Sequence, residues 1–298
     1  MTYASSRRAI ALLAALLLLP DGGARAFDQS KYPDLKGQWE RVGSPRWDDD
    51  HAPLTAEYQA IFQANLKDMK EGGQGIDPTY TCLSPGMPRI MNAYDPMEIV
   101  VTPATTHILI QHIHDMRRIF TDGRDWPKNE DPTFAGYSIG KWSDTKGSGR
   151  YDLLEVETRN LKGPRVYDAS GLPFHVDNET VINERIYLDS ADPNLLHDDI
   201  TVQDHALTRP FSANKKYARS KDAQPVWLES QCTDGNHHVL IGKENYYVSE
   251  DGFLMPVKKN QPPPDLKYFK KAQQAATRAA PTTAGLVGAP PQARRRRA

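Results

Sequence analysis

Two histidines one residue apart, with an aspartate behind them, are a common opening of a metal site, and this chain has them in Gln111-His112-Ile113-His114-Asp115. Read as part of one strand over 106–121, alternation puts Ile108, Ile110, His112, His114, Met116 and Arg118 on one face. Leu109, Gln111, Ile113, Asp115, Arg117 and Ile119 take the other. Both imidazoles then point the same way, at the spacing that two neighbouring ligands need. Zinc and iron sites of this kind require a third protein ligand and an open position. His107, His175, His197, His205 or a carboxylate are the sources for it. No second motif with ligand spacing follows. The expectation is therefore that His112 and His114 line a ligand cavity with Arg118, and a metal-dependent enzyme through the two histidines is the alternative.

A different cation is suggested by Asp144, Ser148, Asp152 and Glu155, which fall in the order of a twelve-residue calcium loop with Gly149 at its sixth position. Lys146 occupies a place where a ligand oxygen belongs, and 153–158 reads as strand rather than helix. A Gly-rich hairpin turn accounts for the same residues. No cofactor is expected, with calcium at these four residues as the alternative.

Proton-transfer chemistry has its own candidates. His175 lies on a Gly/Pro-rich loop, Gly171-Leu172-Pro173-Phe174-His175-Val176-Asp177, where a polar side chain more often has a task than in a core strand. With Asp177 or a more distant carboxylate it could serve as general acid or base. Asp122 and Glu184 are further acid–base candidates, and Arg117 or Arg124 could stabilise developing negative charge. Glu184 and Arg185 are adjacent on a strand and so face opposite sides, each needing its own partner. Tyr137 and Trp142 are candidate ligand-contacting aromatics. There is no Gly-x-Ser-x-Gly, P-loop or Gly-x-Gly-x-x-Gly signature, which argues against nucleotide chemistry and serine-based acyl transfer.

Short strands must carry these groups. Period-two or solidly apolar runs cover 97–103, 106–121, 137–142, 153–159, 180–188, 198–204, 212–218, 226–231 and 244–249, with turn dipeptides between them. One helix is expected over 55–70, where Thr55 can cap and Tyr58, Ile61, Phe62, Leu66 and Met69 recur at helical spacing. So many strands with little room for parallel crossovers predict a mainly β domain, a single antiparallel sheet that closes on itself, with a β-sandwich as the alternative. Gly37-Gln38-Trp39 ahead of the β-rich part resembles the opening of lipocalin-like (calycin) barrels.

The ends differ from this core. Residues 1–26 carry Arg7 and Arg8, an apolar run and Ala24-Arg25-Ala26, the pattern of a cleaved export signal whose apolar stretch is too short to span a bilayer. Residues 261–298 are rich in Pro, Ala and Thr and end in Arg294 to Arg297, the composition of a disordered tail. The β-rich domain is thus expected over 27–260. Export predicts a periplasmic or secreted protein with no integral membrane segment in the mature chain. In an oxidising compartment Cys82 and Cys232, the only cysteines, read most economically as one disulfide, with two free thiols as the alternative. A formal net charge of −1 gives no reason to expect a nucleic-acid partner.

Thr81-Cys82 with Gly86-Met87-Pro88-Arg89, Glu98-Ile99-Val100, Arg117 with Ile119 to Arg124 and Gly136 to Trp142 together resemble a large family of exported bacterial proteins, mostly without an assigned activity. Gly171 with His175, Glu184-Arg185, and Asp204 with Pro210 extend the likeness to Cys232. The resemblance implies export, a β-rich domain and a polar cluster of Arg, Asp, His, Glu and Trp. It also implies that His175 is the matching histidine, and that the segment carrying His112 and His114 varies.

These readings converge on an exported barrel that binds a small, largely apolar or phenolic molecule in a polar-mouthed pocket. It would transform that molecule by cofactor-free acid–base chemistry of lyase, hydratase or isomerase type. A pure carrier is the alternative.

Overall fold

The computed structural model describes residues 27–264 apart from 49–50, 93, 113–114, 230–231, 233–236 and 243. The export-signal region and most of the Pro/Ala-rich tail lie outside the described residues. Nine strands close into a barrel: β1 Gln38–Val42, β2 Met97–Val101, β3 Thr105–Ile110, β4 Asp115–Phe120, β5 Tyr137–Ser143, β6 Leu153–Arg159, β7 Val181–Leu188, β8 Leu195–Gln203 and β9 Phe211–Arg219. Strand β9 returns to pair with β1, Tyr217 opposite Arg41. The mainly β closed barrel is therefore present, and the sandwich alternative is not. Strand direction departs from the expectation at one place. Nine strands cannot alternate all the way round a closed ring, so one neighbouring pair must be parallel. That pair is β4–β5, with Ile119 opposite Ser138, joined by the long segment 121–136.

Alternation along each strand divides inside from outside. Trp39, Met97, Ile108, Ile110, Ile119, Leu154, Ile182, Leu196, Ile200, Val202 and Tyr217 are all buried. Trp39 donates Nε1–H to the Leu35 carbonyl at 3.0 Å, and the Arg219 guanidinium covers its ring at 4.4 Å from the centroid. These side chains build the barrel's core.

The single long helix, α1 (Ala56–Lys70), forms where its spacing predicts. Thr55 accepts from the Tyr58 amide at its start, and Lys67 and Lys70 sit in its last turn, where the dipole favours cations. Among the described residues, no helix is long and apolar enough to cross a membrane. Beyond the barrel, β10 (His238–Ile241), β11 (Glu244–Val248) and β12 (Leu254–Pro256) form a separate three-stranded sheet. The strand expected over 226–231 does not form across its described residues, 226–229.

The run over 106–121 is two strands, not one. Strands β3 and β4 pair as a hairpin with Ile110 opposite Asp115 and Ile108 opposite Arg117. Even-numbered residues face inward on β3 and odd-numbered ones on β4, because the turn shifts the alternation. His112 falls in that turn, and His114 lies outside the described residues.

The pairing of Cys82 with Cys232 is present, with Cα atoms 5.6 Å apart and 150 residues between them in sequence. It ties the segment before β2 to the segment before the small sheet.

Candidate functional site

The candidate groups occupy three separate places. The first is the barrel interior. Arg117, 1 % exposed, donates from Nη1 and Nη2 to the two oxygens of Glu184 at 2.9 and 2.6 Å. Asp198 projects from β8 beside them, wholly buried, and among the described residues neither of its oxygens has a hydrogen-bond donor. Burial, and then the neighbouring Glu184, push the Asp198 carboxyl well above the usual range, so it holds a proton that it can share with Glu184. Burial works against the Arg117 charge, but Glu184, with smaller contributions from Asp198 and Tyr217, outweighs it and raises the guanidinium pKa. Trp142 is also an inward-facing core residue, its Nε1–H given to Thr106 Oγ1 at 3.1 Å. Arg117 and Glu184, both expected at a reaction site, thus meet as a buried ion pair inside the barrel.

The second place is the exposed turn after β4. Asp122 accepts from Arg124 Nε and Nη2, which holds its carboxyl down at about 2, and the Arg124 guanidinium lies 3.9 Å from the Phe120 ring centroid. Arg124 Nη1 reaches the Tyr137 hydroxyl at 3.4 Å on the outer wall. Their partners are one another, which is a stacked, paired turn. Arg118 points outward from β4 and is exposed, opposite His107, rather than lining a cavity. His112 Nδ1 lies 3.2 Å from Asp95 and its ring 5.7 Å from that of Tyr94.

The calcium-like residues form the hairpin turn between β5 and β6. Asp144 accepts from the Ser148 and Gly149 amides at 3.0 and 2.7 Å, and Asp152 from the Thr145 amide and hydroxyl, both at 2.8 Å. Glu155 has left the turn for the outer face of β6, where Ser143 donates to it at 3.1 Å. Lys146 reaches Asp152 at 3.8 Å.

The third place is the loop over 163–178, and here the groups meet an open space. A cleft of about 400 Å³ is walled by Tyr58 and Ile61 of α1, Ile76, Pro164, Phe174 and Val176, with Arg165 and His175 as its charged or titratable lining. Three anchors build it. The Tyr58 hydroxyl accepts the Val176 amide at 3.2 Å, and Asn65 donates from Nδ2 to the Ser170 carbonyl at 2.6 Å. Tyr167 stacks on Phe174 with centroids 4.0 Å apart. Gly171 adopts a φ of 75° against Asn65, where a Cβ would overlap the amide. Gly171→Ala should therefore cost about 1–3 kcal/mol and loosen the loop from α1. A urea midpoint equal to the parent's would show that the loop accommodates the methyl elsewhere.

Asp204 at the end of β8 organises the polar side. Its Oδ1 accepts the amides of His175 and Ala206, at 2.9 and 2.8 Å, and its Oδ2 accepts the Thr180 hydroxyl at 2.5 Å. Thr180 in turn accepts from Arg165 Nη2 at 2.9 Å. Arg165 is 5 % exposed, its Nε and Nη1 have no hydrogen-bond partner among the described residues, and desolvation lowers its pKa. Its face covers the Phe174 ring at 4.6 Å.

Beside the cleft, Asp177 Oδ2 stands 2.9 Å from His175 Nδ1 and 2.5 Å from His205 Nδ1. Partial burial works against the ionised aspartate. The hydrogen bonds from His205, the Glu179 amide and His175 outweigh it and hold Asp177 at about 2. The same contact raises the His205 pKa. These three side chains are the group of described residues whose donor atoms could hold a metal ion, all lying within 4.8 Å of one another. His175 lines this cleft, whereas Arg124, Glu184 and Trp142 line a second one of about 790 Å³ with Lys141, Glu155 and Arg185 of β5, β6 and β7. His205 enters as a partner that the sequence offered only as a possible ligand to another site. Arg165 and Tyr58 were not legible as site residues, since an arginine before a strand and a helix-face tyrosine look structural.

The described residues form a closed nine-stranded barrel with a cleft outside it, against α1. A scan against protein-family models and a search of curated proteins both found no match to this chain.

Proposed function

We propose that this chain is an exported protein, periplasmic or secreted, that binds a small, largely apolar or phenolic molecule in the cleft between α1 and the 163–178 loop. Proton transfer on that molecule, of lyase, hydratase or isomerase type, belongs to the His175–Asp177–His205 group at the cleft's polar edge. The observation that carries this reading is the composition of the cleft: apolar walls, His175 at the margin and a buried Arg165 whose Nε and Nη1 have no hydrogen-bond partner among the described residues. A few polar groups converging on an apolar concavity are the usual make-up of a small-molecule site. The unpaired guanidinium favours a ligand whose polar end is a phenolate or carboxylate. Export is supported by the sequence pattern at 1–26 and by the disulfide.

Calorimetric titration with alkylphenols and aryl carboxylates tests it. Binding should be abolished by Ile61→Trp, which fills the cleft from an exposed helix position. Arg165→Met should weaken carboxylates about tenfold more than neutral analogues of the same shape. Binding that ignores both substitutions would place the ligand elsewhere and end this reading.

A further inference from the structure

We propose that His175, Asp177 and His205 together bind one divalent transition-metal ion of the zinc or iron class. Two imidazoles and one carboxylate from three positions form the donor set that such ions take when an open coordination position is left for water or substrate. Calcium and magnesium prefer oxygen throughout and are not favoured by this set. The donors converge on one side: both Nδ1 atoms are turned to the same oxygen, Asp177 Oδ2. His175 Nδ1 also accepts the Asp177 amide at 3.2 Å, a contact that an ion bound at that nitrogen would replace.

The backbone holds the three in place from behind. Asp204 binds the His175 amide and the Ala206 amide with one oxygen, which locks the loop carrying His175 and Asp177 to the turn carrying His205. The second Asp177 oxygen accepts the Glu179 amide at 3.1 Å and fixes the carboxylate plane. Outer contacts of this kind orient metal ligands. Donors around a zinc ion at bond lengths of about 2.0–2.1 Å sit roughly 3.3 Å apart. The present Nδ1–Oδ2 spacings therefore need to open by less than about 1 Å, within reach of side-chain rotation for the exposed His205. The ion would lie at the edge of the cleft because His175 lines it. This inference uses the proposed cleft function only to say what the open position faces. There, a hydroxide formed by deprotonation of water on the ion would be the proton acceptor.

The test uses the mature chain without an affinity tag, stripped with chelator and dialysed. Zn²⁺ binding is followed by calorimetry, and Co²⁺ binding by visible absorption. One equivalent should bind, with affinity reduced roughly 100-fold or more by His205→Ala and by Asp177→Asn, and unchanged by His112→Ala. His205 is mostly exposed, so its loss leaves folding intact. No binding below millimolar concentration, or equal binding in all three variants, overturns the inference and leaves an aspartate bridging two histidines. Titrating cleft ligands into the stripped protein separates the two proposals. Ligand binding without metal binding removes this one alone, whereas metal binding without any cleft ligand removes the cleft function and keeps the metal site.

Discussion

Arg117→Met should be among the most destabilising single substitutions in the barrel, costing about 3–5 kcal/mol, whereas Asp198→Asn should cost little or nothing. Arg117 and Glu184 are a bidentate pair with essentially no exposure. Removing the guanidinium strands an ionised Glu184 in the packed interior. Asp198 is different because it already carries its proton. An amide of the same shape replaces a neutral acid. Glu184→Gln should fall between the two, since Asp198 can then ionise and take over the charge facing Arg117. For a domain of this size the Arg117 variant should melt roughly 6–20 °C below the parent. The pH dependence follows from Asp198. Its folded pKa lies above the unfolded value, so the native state binds more protons above about pH 4 and stability is lost as pH rises toward the folded pKa. Asp198→Asn removes that slope. Its stability relative to the parent should therefore increase from pH 4 upward, read by urea midpoints across pH 4–8. A loss at Asp198→Asn as large as at Arg117→Met would mean that Asp198 is ionised and paired.

The disulfide carries the second large effect. Closing a loop of 150 residues removes about 5 kcal/mol of chain entropy from the unfolded state in the simplest model, a ceiling on what Cys82→Ser with Cys232→Ser should cost. The enclosed loop contains β2 through β9, so the unfolded ensemble of all the barrel strands but β1 is restricted by it. The link also ties the small sheet's approach segment to the 3-10 turn Pro78–Thr81, which β10 also contacts. Reduction should thus lower the urea midpoint and expose the region around 226–256 to protease while the 38–219 barrel stays protected. Cleavage at equal rates in both regions would show that the barrel itself opens on reduction.

Local sequence pattern determined a good deal here. Runs such as 153–159 alternate inward and outward residues so regularly that strand and face follow from period alone. Thr55 with apolar residues at helical spacing was enough for α1, because capping and one apolar stripe are local properties. That His175 lies on a loop was legible from the Gly and Pro residues around it. The single strand read over 106–121 failed because alternation was carried through a turn. Only the hairpin register, Ile110 against Asp115, reveals that the chain reverses there. Arg117 and Glu184 were visible as charged residues on strands, but whether they faced solvent, ligand or each other depended on which strands close the barrel. Their partnership spans 67 residues of sequence and exists only once β4 and β7 belong to one ring.

The same limit applies to the site. That His175 and Asp177 point together is nearly a local fact, two residues apart on one loop. That His205 joins them, that Asp204 locks both segments, and that α1 supplies the other wall are long-range facts. They are decided by closure and packing, because groups separated by tens of residues acquire a distance only when the intervening strands pair.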